Sequence, residues 1–338
     1  MCNAKREKNN SPRPRAHKFK LRGRTREIFS RAKDVNLSLL LVASLVFAII
    51  PLTSYSYLEY VFMTAMGFII FAASWDLLFS YSGQLTLGHA LQYGLGAFLF
   101  AILAFQNRIP IIPAIILGAL GSCALGAIFG FTTLRLSPVY QGTALLLLSE
   151  VLFYLTTKLY GEEGLSFFSN YVANHDFLYY VGIAIFIPSM LSLYFLETSR
   201  WRIKFKAVKG DPLAAESMGI NVNKYKIIVM TISSLMAGVS GAYYSFVYEH
   251  VGANVFSVAN SFVVIAIVVI GGIGNIGGVI IGALIVIVVQ TVFPIWFSNS
   301  AIVALIYGAL VIIVLRVIPR GVAGTALSFI QKKLIPKK

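Results

Sequence analysis

Long apolar runs separated by short polar segments dominate the chain, and the pattern predicts about ten membrane segments. A segment that crosses a bilayer needs about 20 apolar residues, and a helix satisfies its own backbone hydrogen bonds in lipid. The alternating strands of an outer-membrane barrel are absent from the sequence. We therefore predict an all-α polytopic membrane protein. Its segments are residues 35–52, 58–80, 85–105, 111–134, 139–159, 177–196, 225–247, 261–272, 278–293 and 301–318.

Two glycine-bearing stretches interrupt this pattern, SGQLTLGHALQYGLGA at 82–97 and GGIGNIGGVIIGA at 271–283. Each follows an apolar segment and precedes another, which predicts broken helices and hints at two structural repeats around a central path. If the short segment 261–272 is such a broken helix, the number of full spans is nine. Small residues at four-residue spacing predict close helix packing at Gly118, Ser122, Gly126 and Gly130, and at Gly274, Gly278 and Gly282.

Basic residues outnumber acidic ones by 28 to 13, which gives a formal charge of +15. They cluster in residues 1–34, in 200–226 and from 316 onward, and about ten crossings from a cytoplasmic amino terminus place all three clusters in the cytoplasm. The charge is therefore interpreted as a topology signal and not as a nucleic-acid site. Residues 1–34 are predicted to be a disordered tail in contact with anionic lipid, 35–321 a transmembrane domain, and 322–338 a second basic cytoplasmic tail.

The cytoplasmic loop 197–224 contains KGDPLAAESMGIN, which has the signals of a short, capped helix. Asp211 suits the N-cap, Pro212 the first helical position and Gly219 a left-handed C-terminal cap, and Asn223 is a possible N-cap for the next membrane segment. About two turns are far too short to cross a membrane. The helix could dock in a groove on another protein, or it could be a solvated interfacial helix. The docking residues would be Leu213, Ala214, Ala215, Met218 and Ile220.

Polar residues inside the apolar segments are candidates for a translocation path. Asp76 and Glu150 are carboxylates within predicted membrane segments, where an ionised group is costly and usually faces protein or water. If residues 85–105 are helical, His89 shares a face with Leu85, Gln92 and Gly96. The alternative is that Gln84 and His89 cap or brace the broken start of this segment.

No catalytic or metal-binding constellation accompanies these residues. The histidines at 17, 89, 175 and 250 are scattered without partners of the H-E-x-x-H kind, and Cys2 and Cys123 stand in unlike surroundings. The sequence contains no G-x-x-x-x-G-K-[ST] phosphate-binding run. We expect no catalytic residue, no metal and no cofactor, so any ATP hydrolysis must come from another polypeptide.

The order of the motifs resembles that of the LivM-type permeases of branched-chain amino acid ABC importers, over roughly residues 70–321. The resemblance rests on SGQLTLGHA (82–90), GLGA (94–97), LRLSPVY (134–140), Glu150, Ala214-Ala215-Glu216 followed by Met218-Gly219-Ile220-Asn221, GGIGNIGGVIIGA (271–283), IYGAL (306–310) and IPRG (318–321). It implies the ABC importer permease fold in the inner membrane, with Asp211 to Ile220 as the ATPase-coupling helix. It also implies a second, LivH-like permease subunit, two cytoplasmic ATPase subunits and an extracytoplasmic solute-binding protein.

The solute is left open by departures from the family pattern. Glu162 and Glu163 stand where small or amide residues are commoner, Leu145 where threonine is often seen, and Gly277 where a large residue is common. Related permeases carry branched-chain amino acids, urea or short amides. A stand-alone, proton-coupled secondary carrier is the alternative of a different class. Asp76 and Glu150 favour that carrier, and the capped loop helix disfavours it.

Overall fold

A computed structural model describes residues 37–53, 56–133, 136–166 and 175–296, with scattered positions between 302 and 325. The N-terminal tail 1–34 lies outside these residues, as do most of the predicted segment 301–318 and most of the tail 322–338. The helices are α1 (Leu37–Ile49), α2 (Ser56–Ser82), α3 (Ala90–Ala101), α4 (Ile111–Thr133), α5 (Pro138–Tyr160), α6 (His175–Thr198), α7 (Trp201–Gly210), α8 (Pro212–Ser217), α9 (Val222–Tyr248), α10 (Val258–Gly271) and α11 (Ile276–Trp296).

The predicted fold class is confirmed. Six of these helices are long and apolar enough to cross a membrane, namely α2, α4, α5, α6, α9 and α11, and α1, α3 and α10 are shorter apolar helices. These nine coincide with the first nine predicted segments. A π-helical turn at Ile102–Gln106 extends α3. With 14 residues, α10 is about 21 Å long, shorter than the roughly 30 Å hydrocarbon core, in agreement with its interpretation as a broken helix.

The centre of the molecule is formed by α2, α3, α4 and α9. In α2, 83% of the apolar stretch is buried, against 22% in α5, so α2 is central and α5 peripheral. Glycines allow the backbones of α3 and α9 to approach closely. A Cβ at Gly96 of α3 would overlap the backbone of Gly238 in α9. The Ser122 hydroxyl of α4 donates to the carbonyls of Gln92 (2.7 Å) and Ser234 (3.1 Å), which joins α4 to α3 and α9.

Two further groups of elements pack around this centre. Helices α10 and α11 pack on each other and on α2, and α6 also packs on α2. Two short antiparallel strands, β1 (Leu165–Ser166) and β2 (His250–Val251), connect the turn after α5 to the end of α9. The pairs are Leu165 with Val251 and Ser166 with His250.

Candidate functional site

Helix α8 is capped at both ends as its sequence predicts. The Asp211 carboxylate accepts hydrogen bonds from the backbone N–H groups of Leu213 (3.0 Å) and Ala214 (3.1 Å). At the other end Gly219 adopts φ +77° and its N–H donates to the Glu216 carbonyl. The N–H of Ile220 donates to the Ala215 carbonyl, which completes a Schellman motif. The local sequence therefore fixes both boundaries of α8.

The sides of α8 face different surroundings. Ala215 is fully buried and forms a small core with Val208 of α7 and Val222 of α9. Leu213 is 76% exposed and Met218 is 68% exposed. The predicted docking surface is therefore wrong for Ala215, because this residue faces its own chain.

The remaining members of the predicted coupling helix divide in the same way. Ile220 is half-buried against the small core that contains Ala215. The exposed members are Asp211, Pro212, Leu213, Ala214, Glu216, Met218 and Gly219. The surface open to another protein is thus centred on Leu213, Ala214 and Met218.

Helix α7 packs on α8. The sequence analysis did not predict this helix, because the stretch stands out only for its basic residues. Phe205 is buried, and its ring lies edge-on to Tyr81 of α2 and to Tyr225 of α9, with ring centroids 5.7 Å apart in both cases. The spacing of Phe205 and Val208 among basic residues in WRIKFKAVKG is the amphipathic signal that could have revealed it. Through these rings α7 contacts α2 and α9, and α7 in turn packs on α8.

The N-cap of α9 also differs from the prediction. The helix begins at Val222, one residue after Asn221, whose side chain accepts from the N–H of Lys224 at 3.0 Å. Asn223, the predicted cap, lies inside the first turn. Connections on both sides of α8 are therefore short and hydrogen-bonded, with Asp211 alone between α7 and α8.

The broken start of α3 places three predicted pathway residues in the interior. Residues 83–88 are not helical, so Leu85 does not share a helical face with His89. Gln84, His89 and Gln92 are at most 2% exposed. His89 Nε2 lies 2.8 Å from the Ser74 hydroxyl of α2, and the Ser82 hydroxyl donates to Gln84 Oε1 at 3.0 Å. These contacts favour the bracing interpretation, because they join the non-helical segment and the start of α3 to α2.

Unpaired polar atoms remain in this buried cluster. Within the described residues, both side-chain polar atoms of Gln92 and the Nδ1 atom of His89 have no hydrogen-bond partner. A buried polar atom without a partner is costly, and water or a solute can satisfy it. Among the buried pathway candidates, Gln92 therefore has the most side-chain polar atoms without a partner in the described residues.

Asp76 joins α2 to the turn between α10 and α11. It is 6% exposed, and its Oδ1 accepts from the Gly274 N–H at 2.8 Å and from the Ser80 hydroxyl at 2.7 Å. Gly274 has φ +78° and precedes the first residue of α11, Ile276, so its predicted place in a helix-packing row is wrong. Gly274 is part of the turn between α10 and α11, and its N–H donates to Asp76.

Glu150 differs from Asp76 in having no hydrogen bond or ion pair to any residue in the described part of the chain. It is half-buried in α5, the most exposed of the long apolar helices. The neighbouring Ser149 hydroxyl donates instead to the Phe256 carbonyl at 2.7 Å. Glu150 is thus separate from both the α3 cluster and the Asp76 turn.

The other predicted packing glycines lie at close helix contacts. A Cβ at Gly126 would overlap the Ser234 side chain, and one at Gly118 would lie 3.1 Å from the Gly96 carbonyl oxygen. Gly130 faces Met230 of α9. On the other side of the molecule, Gly278 and Gly282 of α11 lie against the backbone of α10.

Comparison with known proteins identifies the family. The model of the branched-chain amino acid transport system / permease component family matches residues 57–315. The chain belongs to this family. It is 27% identical over 256 residues to the high-affinity branched-chain amino acid transport system permease protein LivM of Salmonella typhimurium and to that of Escherichia coli. Each alignment covers 66% of this chain and 60% of the relative.

The chain is also similar to a LivH permease, in addition to the LivM permeases. The probable branched-chain amino acid transport permease protein LivH of Methanocaldococcus jannaschii is 26% identical over 176 residues, which is 50% of this chain and 51% of that protein. The probable branched-chain amino acid transport permease protein LivM of the same organism is 26% identical over 243 residues, which is 62% of this chain and 67% of that protein. The resemblance to permeases of this family is therefore confirmed, and the relatives are permease components.

Proposed function

We propose that this chain is the membrane-spanning permease subunit of an ATP-driven importer for branched-chain amino acids or a related small polar solute. The observation that carries the proposal is the geometry of α8, a capped helix held between α7 and α9 with Leu213 and Met218 exposed. Exposed apolar residues on a rigid, short helix suit a groove on a partner protein. Urea and short amides remain alternative solutes for the same permease.

The partners of this proposal are a second, LivH-like permease subunit, two cytoplasmic ATPase subunits and an extracytoplasmic solute-binding protein. The second permease is supported by the chain's similarity to both LivM and LivH proteins. The exposed apolar surfaces of α4 and α5 are available to it or to membrane lipid. We place the protein in the inner membrane with α7, α8 and both termini on the cytoplasmic side, because basic residues are enriched in cytoplasmic segments.

In this mechanism, closure of the ATPase pair pushes α8, and the push reaches the membrane helices through buried contacts. Ala215 transmits it to Val208 and Val222, and the Phe205 ring transmits it to Tyr81 of α2. Helix α2 contacts the broken start of α3 through Ser74 and His89. Movement of α8 can thus change access along a path near α3.

The contacts of Asp76 disfavour the secondary-carrier alternative. Its Oδ1 already accepts two hydrogen bonds, which suits a residue that fixes a turn. Uptake in liposomes separates the two functions. The chain alone should not accumulate labelled leucine under a proton gradient, whereas the complex with its ATPases, second permease and binding protein should do so with ATP inside. Gradient-driven uptake by the chain alone would overturn the proposal.

A further inference from the structure

A cavity of about 500 Å³ lies where α2, α6 and α7 meet the turn between α10 and α11. Its volume is within the range of about 300–1,000 Å³ that is typical of small-molecule sites. It is lined by apolar side chains from three membrane helices and by five charged side chains from α2, α6 and α7. The charged lining residues are Asp76, Glu197, Arg202, Lys206 and Lys209.

The charges in this cavity are of both signs. Arg202 lies 3.7 Å from Glu197, so these two largely offset each other. Lys206 and Lys209 lie on the same side of α7, and Lys209 Nζ lies 4.7 Å from the centre of the Phe79 ring. Partial burial lowers the pKa of Lys209, and the nearby Asp76 carboxylate opposes that shift. The cavity therefore presents lysine ammonium groups beside a carboxylate.

Asp76 has one carboxylate oxygen that its structural contacts do not use. Both of its hydrogen bonds, from Gly274 and Ser80, end on Oδ1. Oδ2 accepts no hydrogen bond from the described residues. A ligand with an ammonium group can therefore reach a fixed, oriented carboxylate oxygen without displacing a protein contact.

We propose that this cavity binds an α-amino acid zwitterion with an aliphatic side chain. The ligand's carboxylate would face Lys206 and Lys209, and its ammonium group would face Asp76. The apolar wall formed by Leu77, Leu193 and Val279 would take the aliphatic side chain. A lone anion would be repelled by Asp76 and a lone cation by the lysines, so the mixed charges select a zwitterion.

This inference rests on the proposed function, which makes the cavity cytoplasmic and the amino acid the imported product. The cavity is bounded by α7, and α7 passes through Asp211 directly into α8. An occupant would hold α7 against α2 and resist the movement of α8. Import should then slow as product accumulates, which is feedback within the permease.

Equilibrium binding of radiolabelled leucine to the complete complex in nanodiscs tests the proposal, without ATP or binding protein. We expect saturable binding that weakens at least tenfold in Asp76→Asn and in Lys209→Gln. Asparagine keeps an acceptor for Gly274 and Ser80 but loses the charge. The matched control is Lys204→Gln, on the same helix with its Nζ 5.5 Å from the Tyr225 ring and outside the cavity lining. This control should bind as the wild type does.

Competition by leucine analogues shows whether the site recognises the carboxylate and the ammonium group of the ligand. Isopentylamine, which lacks the carboxylate, and 4-methyl-2-oxopentanoate, which lacks the ammonium group, should compete at least tenfold more weakly than leucine. Equal competition by the oxo acid, or equal binding by wild type and both cavity variants, would overturn the proposal. ATP-driven leucine uptake is measured on the same preparation. Uptake without binding refutes only the cavity site, and binding without ATP-driven uptake refutes the proposed function.

Discussion

Leu213 is the residue at which docking of α8 can be tested without disturbing the fold, because 76% of it is exposed. Leu213→Ala removes three carbons, each contributing about 0.8 kcal/mol when buried. If the partner groove covers the exposed 76%, the loss is about 1.8 kcal/mol. Since about 1.4 kcal/mol corresponds to a tenfold change, ATPase affinity should fall about 20-fold.

Titration of labelled ATPase subunits onto the permease pair in nanodiscs measures this affinity. The matched control is Ile203→Ala on α7, because Ile203 is 74% exposed in the same connection between α6 and α9 but does not belong to α8. The thermal unfolding temperature of both variants should equal that of the wild type. Unchanged ATPase affinity in Leu213→Ala, or an equal loss in Ile203→Ala, would refute docking through α8.

Three further substitutions test contacts inside the chain, each by thermal unfolding in detergent. Ala215→Trp should destabilise the α7–α8–α9 connection by about 3 kcal/mol or more, because the site is fully buried; a wild-type transition would contradict the small core. Asp76→Ala should cost about 1–3 kcal/mol by leaving the Gly274 N–H unpaired, and Asp76→Asn should cost less; equal losses would exclude this hydrogen bond as the cause. Gly126→Ala should cost about 1–3 kcal/mol through overlap with the Ser234 side chain, whereas Gly121→Ala meets only the end of a flexible leucine; equal stability of the two would argue against close packing.

Much of the architecture could be predicted because it depends on local pattern. The apolar runs located nine helices, and Asp211 and Gly219 located the ends of α8 from residues within one or two turns. Helix α7 was missed because basic residues obscured its apolar positions, Phe205 and Val208. It packs against rings from α9 and from α2, and α2 lies far from α7 in the sequence.

The site was less predictable, since its contacts are long-range. Asp76 and Gly274 are separated by 198 positions, and no pattern along the chain pairs them. The inward orientation of Ala215 depends on Val208 and Val222, which a helical wheel of α8 alone does not include. The start of the predicted segment 85–105 is not helical up to Ala90, and Trp75 Nε1 of α2 donates to the Thr86 carbonyl there at 2.8 Å.

The central claim is that α8 couples ATP hydrolysis to transport, and ATP hydrolysis and leucine uptake measured together in the reconstituted complex test it most directly. Gly219→Val is the informative variant: the site has φ +77° and open space around it, so valine strains the cap without a clash. We predict an inserted, assembled complex in which uptake per ATP hydrolysed falls well below the wild-type ratio. A wild-type ratio of uptake to hydrolysis in this variant and in Leu213→Ala would contradict the coupling role of α8.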